Sequence, residues 1–160
     1  MRKFPLIILP LVVLAVGGRF IYGAMNHPDD KTLIKQALAD AIQASKEGQA
    51  GSVVDKLTEN FRVNDVRTGT SKIAELVKNN HPVVDVKETD PIVSGDSAQI
   101  TSDVSLHVSV LGQSFDRNLN DVQLLFKKET GTDWLIFPAT RWRLAAARIP
   151  SDQMAGFEGQ

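Results

Sequence analysis

The first half of the chain carries apolar residues at helical spacing. Between residues 27 and 49 they fall on one face of an α-helix, at Leu33, Ile34, Ala37, Leu38, Ala41 and Ile42. Asp29 or Asp30 can cap the start of this helix, Lys46 suits its negative end, and Gly48 can stop it. The pattern therefore predicts one long helix that buries a single stripe of side chains.

Two shorter segments show the same period. The first covers residues 52–61 and begins with a Ser52–Asp55 pair that resembles a capping box, and the second covers residues 71–80, before Pro82. The predicted apolar faces hold Val54, Leu57 and Phe61 in the first helix and Ile73, Leu76 and Val77 in the second. Three helices with one apolar stripe each need a common surface to cover.

From Val83 onward the period changes to two, which is typical of half-buried strands. Residues 99–110 alternate between two faces: Ile100, Ser102, Val104, Leu106, Val108 and Val110 on one, and Thr101, Asp103, Ser105, His107 and Ser109 on the other. Turns are predicted at "SGDS", "LGQS" and "TGTD", with the strand "NDVQLLFKKE" before the last turn and a closing strand after it.

Helices followed by a meander of antiparallel strands predict an α+β domain, in which the helices cover one face of the sheet. We place this domain at residues 27–150. Residues 151–160 include two glycines and little apolar content, so we expect a flexible tail there.

The first 26 residues have the pattern of an export segment. Arg2 and Lys3 precede an apolar run from Phe4 to Gly18, which predicts that the domain lies outside the cytoplasmic membrane. The run spans about 22 Å as a helix, and extending it to Met25 gives about 33 Å, enough to cross a hydrocarbon core of about 30 Å. We favour a retained anchor over residues 4–25, and the alternative is a signal peptide cleaved after Gly17.

Charge and cysteine content exclude several classes of function. Three of the 18 Lys and Arg residues lie in the first 26, so the rest of the chain has 15 basic and 19 acidic side chains, a net charge of about −4. Nucleic-acid binding relies on clustered cations and is not expected here. The chain has no Cys, which excludes disulfides, thiolate catalysis and zinc–thiolate sites.

The order of elements resembles the nuclear transport factor 2-like (NTF2-like) superfamily, also called cystatin-like or SnoaL-like. The segment "EGQAGSVVDKLTENFRV" is similar to the second helix and first short strand of that family, and the final strand begins with Trp after a tight turn. The resemblance implies helices packed on a curved antiparallel sheet, a cone with an apolar pocket. Members include isomerases, dehydratases, ligand-binding proteins and structural modules, so this fold alone does not determine activity.

Enzymatic members use an inward-facing Asp, often supported by His. Asp103 and His107 lie four residues apart but on the polar face of their strand, which we interpret as a solvated outer face. Asp65 follows "FRVN" and lies either at a pocket mouth or in a short turn. The three His residues show no metal-ligand spacing, and the sequence has no phosphate loop or nucleophile elbow. We therefore expect no metal and no cofactor.

Two registers are possible for the final hairpin, and a one-residue change exchanges its faces. A loop of two residues, Gly131 and Thr132, would place Phe126 opposite Phe137 and point Arg141 into the pocket, where an anion could pair with it.

A loop of three residues, 130–132, would place Phe126 opposite Ile136, with Trp134 and Trp142 in the core and both flanking arginines outside. We favour this register because two buried indoles remove more apolar area from water than one buried guanidinium can offset. It also brings Leu125, Leu135 and Phe137 together as an apolar patch on the outer face of the sheet. Such patches often mark interfaces, so we expect contact there with a second copy or a partner protein.

Two functions are consistent with these patterns. The first is a membrane-tethered, extracytoplasmic, non-enzymatic module that acts in protein–protein interaction or assembly, an arrangement similar to assembly proteins of type IV secretion and to membrane proteins associated with lipid import. The alternative is a small-molecule-binding or isomerase-like domain that uses the cone pocket, with Asp65, Trp134, Arg141 and Trp142 as possible pocket residues.

Overall fold

The computed structural model describes residues 28–110, 112–133 and 137–154. Within these residues, helices α1 to α4 span Asp30–Lys46, Ala50–Asp55, Thr70–Asn80 and Ser151–Met154. Strands β1 to β7 span Leu57–Val63, Val66–Arg67, Val83–Val86, Ile92–Ser94, Ser97–Val110, Gln113–Asp133 and Phe137–Arg148. The predicted anchor over residues 4–25 and its alternative cleavage site lie outside the described residues.

The strands form one sheet in the order β2–β1–β7–β6–β5–β3, and β4 also pairs with β5. Every neighbouring pair is antiparallel except β1 and β7, which are parallel. Helix α1 packs across one face of the sheet, which we call the inner face, and the opposite side is the outer face. The predicted α+β class, with helices on a curved and mainly antiparallel sheet, is confirmed.

Helix α1 forms as its sequence pattern predicts. The Asp29 carboxylate accepts a hydrogen bond of 2.9 Å from the Thr32 N–H at the helix start. Hydrogen bonds from Thr32 hold the pKa of Asp29 below its usual value. The buried stripe of the helix includes Ile34 and Leu38, so α1 supplies the helical side of the core.

The predicted helix over residues 52–61 is wrong in its second half. Helix α2 ends at Asp55, and Leu57–Val63 is strand β1. Leu57 pairs with Leu144 of the distant strand β7. Hydrogen bonding to this neighbour stabilises the extended conformation, and periodicity within residues 52–61 carries no information about it.

Helix α3 follows its predicted bounds closely but buries a narrower stripe. Val77 is buried and Ile73 half-buried, whereas Leu76 is 45% exposed, so the prediction that Leu76 faces inward is wrong. The helix ends at His81, whose backbone is left-handed with φ of 46°. The His81 ring lies directly against Gly48 of the α1–α2 turn.

The main core lies between α1 and the inner faces of β5, β6 and β7. Its buried members are Ile34, Leu38, Ala98, Ile100, Val104, Leu119, Val122, Leu124, Phe126 and Trp142. Ser102 is a buried polar residue on the same face of β5. Its Oγ accepts a 2.7 Å hydrogen bond from the Glu88 N–H and donates one of 2.9 Å to the Asp103 carbonyl. The predicted alternation of β5 is confirmed by the burial of Ile100, Ser102 and Val104.

The predicted flexible tail is ordered at its start. Ser151–Met154 forms the single helical turn α4. The Gln153 side chain accepts a 2.7 Å bond from the backbone N–H of Asn120 and donates one of 3.2 Å to its carbonyl. Residues 155–160 lie outside the described residues.

Candidate functional site

Both predicted registers of the final hairpin are wrong. Phe126 lies opposite Leu144, Gly131 opposite Ala139, and Asp133 opposite Phe137. The predicted "TGTD" turn is therefore part of β6, whereas the turns at "SGDS" and "LGQS" are confirmed. Continued pairing gives hydrogen-bond partners to the backbone of residues 129–133, and this outweighs the turn preference of Gly131.

The corrected register also changes the predicted outer patch. Leu125 lies opposite Ala146, whereas Phe137 lies opposite Asp133, eight residues further along β6. At about 3.3 Å per residue, the two positions are separated by roughly 26 Å. Leu125 and Phe137 are thus well separated along the sheet, and the interface role of these residues stays a prediction. Trp134 and Leu135 lie outside the described residues, so their pocket and interface roles stay predictions.

Trp142 is a core residue, 3% exposed. Its Nε1–H donates a 2.9 Å hydrogen bond to Asp30 Oδ1, and Lys128 Nζ lies 3.1 Å from Asp30 Oδ2. The same ammonium lies 5.8 Å from the centroid of the indole ring, within the range of a cation–π contact. The bond from Trp142, followed by that from Lys128, holds the pKa of Asp30 below its usual value. Trp142 therefore joins the closing strand to the start of α1.

A cleft of about 390 Å³ lies between α1, the end of α2 and β7. Arg141, Trp142 and Arg143 line its β7 side, so the structure brings together two of the four predicted pocket residues. Two ion pairs join the elements that line it: Lys56, directly after α2, lies 2.9 Å from Asp40 of α1, and Arg143 of β7 lies 3.3 Å from Asp55 of α2.

Arg143 also lies 3.4 Å from Glu129 on the neighbouring strand. Its Nε is buried without a hydrogen-bond partner among the described residues. The cleft, which we call the α1–β7 cleft, is therefore lined by ion-paired side chains, among them an arginine whose buried Nε donor is unused.

A wider groove of about 670 Å³ lies on the outer face, and we call it the outer groove. Its floor contains Leu125, Ala145 and Ala146. The pairing of β6 with β7 is irregular here: Leu125 pairs with Ala146 and Phe126 with Leu144, so Ala145 is an extra residue in β7. The alanine side chains at this bulge are short, whereas the surrounding residues of β1 and β6, such as Arg62 and Lys127, have long side chains.

The rim of the outer groove carries both signs of charge. Three acidic and three basic residues line it: Glu59, Asp65, Glu129, Arg62, Lys127 and Arg148. Asp65 and Arg148 pair at 3.5 Å, and Glu129 pairs with Arg143. Glu59, Arg62 and Lys127 have no ion-pair partner among the residues that the structure describes.

Asp65 forms part of a tight turn, as one of the two sequence interpretations proposed. Asn64 and Asp65 have φ of 48° and 65° between the paired residues Val63 and Val66, which is the conformation of a two-residue hairpin turn. This turn lies at the outer groove and not at the α1–β7 cleft. The structure therefore does not bring Asp65 together with Arg141 and Trp142.

Asp103 and His107 each contact a different charged residue. Asp103 lies 3.5 Å from Lys87, and His107 Nδ1 lies 2.5 Å from Asp116 across the β5–β6 pair. Both lie on the polar face of β5, as predicted. Among the described residues there is no cluster of three or more His, Asp or Glu side chains that could hold a metal ion.

Several contacts of these sites were not foreseen. The sequence pattern indicates Asp30 only as a possible helix cap, yet its carboxylate accepts a hydrogen bond from Trp142, which is 112 residues away in the chain. The "LAAAR" run before Ile149 is the one sequence signal that could have indicated the outer groove, because consecutive small residues in a strand leave space.

The fold is NTF2-like, as comparison with solved structures shows. An NTF2-like protein of unknown function in nutrient uptake from Rhodospirillum rubrum matches with a TM-score of 0.58 and 13% identity, over 75% of this chain and 96% of that chain. An NTF2-like protein with a cystatin-like fold from Novosphingobium aromaticivorans matches with a TM-score of 0.55 and 18% identity, over 91% and 93% of the two chains.

A ketosteroid isomerase-like protein from Erwinia carotovora matches with a TM-score of 0.50 and 16% identity, over 76% of this chain and 95% of that chain. No family model matches the sequence, and no curated protein matches it significantly. At these identities the likeness establishes the fold and leaves the activity open. Within the described residues, no helix is long and apolar enough to cross a membrane.

Proposed function

We propose that this chain is a non-enzymatic NTF2-like module that acts by protein–protein contact, with the outer groove as its contact surface and a second copy as its partner. The observation that carries the proposal is the composition of the groove: an apolar floor inside a rim with three acidic and three basic side chains. Equal numbers of both charges suit a two-fold interface, because each contact is made twice between the same pair of residues.

The unpaired rim charges support the same proposal. Glu59, Arg62 and Lys127 have no ion-pair partner among the described residues, so a second copy can provide one without breaking an existing pair. The apolar floor supplies the non-directional part of the interaction.

The test is the oligomeric state of the full chain in detergent, measured by sedimentation velocity over a range of concentrations. Ala146→Glu places a charge in the groove floor and should raise the dimer dissociation constant at least about tenfold, or ~1.4 kcal/mol. Thr101→Glu, on the outer face of β5 but outside the groove, is the matched control. A monomeric parent protein, or equal effects of both variants, would contradict the proposal.

We further propose that residues 4–25 tether this module to a membrane, with the domain on the extracytoplasmic side. The support is the sequence pattern of two cations before a long apolar run. Carbonate extraction of membranes from cells that produce the full chain tests this, together with the intact mass of the product. Release of a product that begins at Gly18 would show a cleaved signal peptide instead.

A second candidate function is the binding of a small carboxylate in the α1–β7 cleft. The buried and unpartnered Nε of Arg143 favours it, since a ligand oxygen can satisfy that donor. Ligand-detected NMR with a panel of small mono- and dicarboxylates tests this function. Arg143→Lys keeps the charge but removes the Nε donor and should abolish binding, whereas Arg148→Lys, outside the cleft, should not.

A further inference from the structure

Strand β6 is paired on both sides over only part of its length. On one side β5 pairs with it from Gln113 onward, whereas on the other side β7 ends where Arg148 lies opposite Gln123. Among the described residues, no strand pairs with residues 113–119 on the side away from β5. We call this segment the open edge. An unpaired strand edge presents backbone N–H and C=O groups that another strand can bind.

Asn120, which directly follows the open edge, shows which way these backbone groups point. The Gln153 side chain accepts a 2.7 Å hydrogen bond from the Asn120 N–H and donates one of 3.2 Å to the Asn120 carbonyl. One side-chain amide thus makes the two bonds that a neighbouring strand would make on this side of β6. Because Gln153 occupies the edge here, an added strand has to bind nearer the hairpin tip.

Side-chain pairs within the hairpin indicate the same backbone orientation along the open edge. Ser114, Asp116 and Asn118 each bond to the side chain of the residue opposite on β5. Short contacts of this kind are typical of residue pairs that share no backbone hydrogen bonds, in which the two strands lie closer together. The backbone groups of these three residues therefore point away from β5, as those of Asn120 do.

The open edge lies beside an exposed apolar surface. Residues 112–118 are all exposed, and Phe115 on the inner face is 39% exposed. Val108 lies directly opposite Phe115, and Val110, which is 36% exposed, continues this surface on β5. A two-stranded ribbon is only marginally stable by itself, and a third strand stabilises it. The backbone and the apolar surface thus both favour the addition of a strand.

We propose that the open edge pairs antiparallel with the open edge of a second copy, with Phe115 at the two-fold axis. The register then places Phe115 opposite Phe115 of the second copy, Ser114 opposite Asp116, and Gln113 opposite Arg117. The axis is perpendicular to the sheet, so opposite side chains lie on the same face. An aromatic pair and hydrogen-bonding pairs across antiparallel strands stabilise such a contact.

The partner is a second copy because this edge is complementary to itself in one register. Moving the axis by one residue away from the tip would place Asp116 opposite Asp116, and moving it by two would place Arg117 opposite Arg117. Like charges directly opposite each other are destabilising. A larger shift requires pairing at Asn120, where Gln153 already makes the edge bonds. A shift toward the tip shortens the paired segment.

This contact is separate from the proposed contact through the outer groove. The floor of the groove contains Leu125 and Ala146, and Leu125 is separated from Phe115 by roughly 30 Å along β6. Two different two-fold contacts on one chain join successive copies into an open row instead of a closed dimer. The inference therefore goes beyond the proposed function and predicts assemblies of more than two copies.

Single-Cys variants of the full chain test the register, because the chain has no Cys of its own. Phe115→Cys places a thiol on each side of the axis and should give a disulfide-linked dimer under mild oxidation. Val108→Cys, on the same face but one strand further from the axis, should crosslink at least about ten times more slowly. Comparable rates would indicate contact between the apolar faces, and they would overturn the edge pairing, as would the absence of a crosslink in Phe115→Cys.

Charged residues at Ser114, an exposed position, test the same register with little effect on folding. The background is Ala146→Glu, which removes the outer-groove contact. Ser114→Asp would face Asp116 of the second copy and should raise the dimer dissociation constant several-fold, whereas Ser114→Lys should lower it several-fold. Ser109→Asp, on the same outer face but on β5, is the control and should change it less than about twofold. Equal effects of Ser114→Asp and Ser114→Lys would contradict the proposal.

Sedimentation velocity of the full chain in detergent separates this contact from the outer groove. Dimers that persist in Ala146→Glu and dissociate when Ser114→Asp is added would support the edge pairing. A parent that stops at dimers, together with an Ala146→Glu variant that is monomeric at every concentration, would overturn the edge pairing and leave the proposed function intact. Parent dimers that Ala146→Glu leaves unchanged and Ser114→Asp dissociates would support the edge pairing and contradict the groove contact.

Discussion

Trp142 Nε1 donates a hydrogen bond of 2.9 Å to Asp30 Oδ1, and this bond joins the closing strand to the first turn of helix α1. The second carboxylate oxygen of Asp30 receives Lys128 from the neighbouring strand at 3.1 Å. A carboxylate in the first turn of a helix is favoured by the helix dipole. One side chain thus connects the helix with two strands of the sheet, and it allows a polar indole nitrogen to lie in a mostly apolar core.

Replacing Asp30 by Ala should destabilise the domain. The change leaves the indole N–H of Trp142 without its acceptor and removes the partner of Lys128, at a cost of about 1–2 kcal/mol. Urea denaturation measures the loss, with Lys31→Ala as a control in the same turn. In a double-mutant cycle, Asp30→Ala should cost clearly less when Trp142 is already Phe. A cycle without coupling would show that the bond contributes no stability.

The same carboxylate predicts a loss of stability in acid. The pKa of Asp30 is lowered in the folded state by the bonds from Trp142 and Lys128, while the unfolded chain keeps a value of about 3.9. Its contribution is therefore complete above the unfolded pKa and is lost as the pH falls through the lower, folded value. The pKa values of Asp29 and Asp90 are lowered too, by hydrogen bonds from Thr32 and Lys35 respectively, so they add to this trend with the same sign.

The measurement is the urea midpoint of the parent and of Asp30→Asn between pH 7 and pH 3. The parent should be the more stable at neutral pH, and the difference should shrink below about pH 4. Asp85→Asn, at an exposed position on β3, serves as the control for the loss of one carboxylate. A constant difference between the parent and Asp30→Asn would mean that the ionised carboxylate has no special role.

Local patterns predicted the parts of the fold that local interactions determine. Helix α1 combines a continuous apolar stripe with a side-chain cap at Asp29, and it begins and ends at the predicted capping residues. The alternation of β5 predicted its buried face for the same reason. Each of these signals lies within the segment that folds.

The errors lie where a distant partner decides the conformation. Residues 57–61 fit a helix by spacing, yet they form a strand because β7 pairs with them across more than 80 residues of sequence. Gly131 is typical of a turn, yet it lies in β6 because β7 begins at Phe137 and its residue Ala139 pairs with Gly131. The same errors affect the prediction of the candidate sites, because residues of β7 and its neighbouring strands line both the α1–β7 cleft and the outer groove.

The β1–β2 turn offers a matched pair of substitutions. Asn64 and Asp65 both have left-handed backbones, so Gly suits either position. Only Asn64 uses its side chain for hydrogen bonds to the backbone of a distant residue: Nδ2 donates a bond of 2.9 Å to the Ile149 carbonyl, and Oδ1 accepts one of 2.6 Å from the Ile149 N–H. Asp65 makes one exposed ion pair with Arg148.

Asn64→Gly should therefore lower the free energy of unfolding by about 1–2 kcal/mol, because two hydrogen bonds are lost. Asp65→Gly should change it by less than about 0.5 kcal/mol, since an exposed ion pair contributes little and the relief of backbone strain offsets it. Thermal and urea denaturation of both variants give the comparison. Equal effects at the two positions would contradict the role assigned to the Ile149 bonds.

Gly48 and Gly51 lie three residues apart and should respond to Ala in opposite directions. Gly48 has φ of +71°, and a Cβ there would lie 2.5 Å from Cε1 of the His81 ring. Both the strained backbone and the clash oppose Gly48→Ala, which should cost about 1–3 kcal/mol. A Cβ at Gly51, in helix α2, meets nothing within 4 Å, so Gly51→Ala should stabilise the protein by about 0.5–1 kcal/mol.

His81→Ala separates the two causes at Gly48. Removing the ring abolishes the clash but not the backbone strain, so Gly48→Ala should cost less in the His81→Ala background than in the parent protein. The difference between the two costs measures the steric part, and the remainder measures the left-handed backbone. If Gly48→Ala costs the same in both backgrounds, the ring has room to move aside, and φ alone explains why glycine is required where α1 turns into α2.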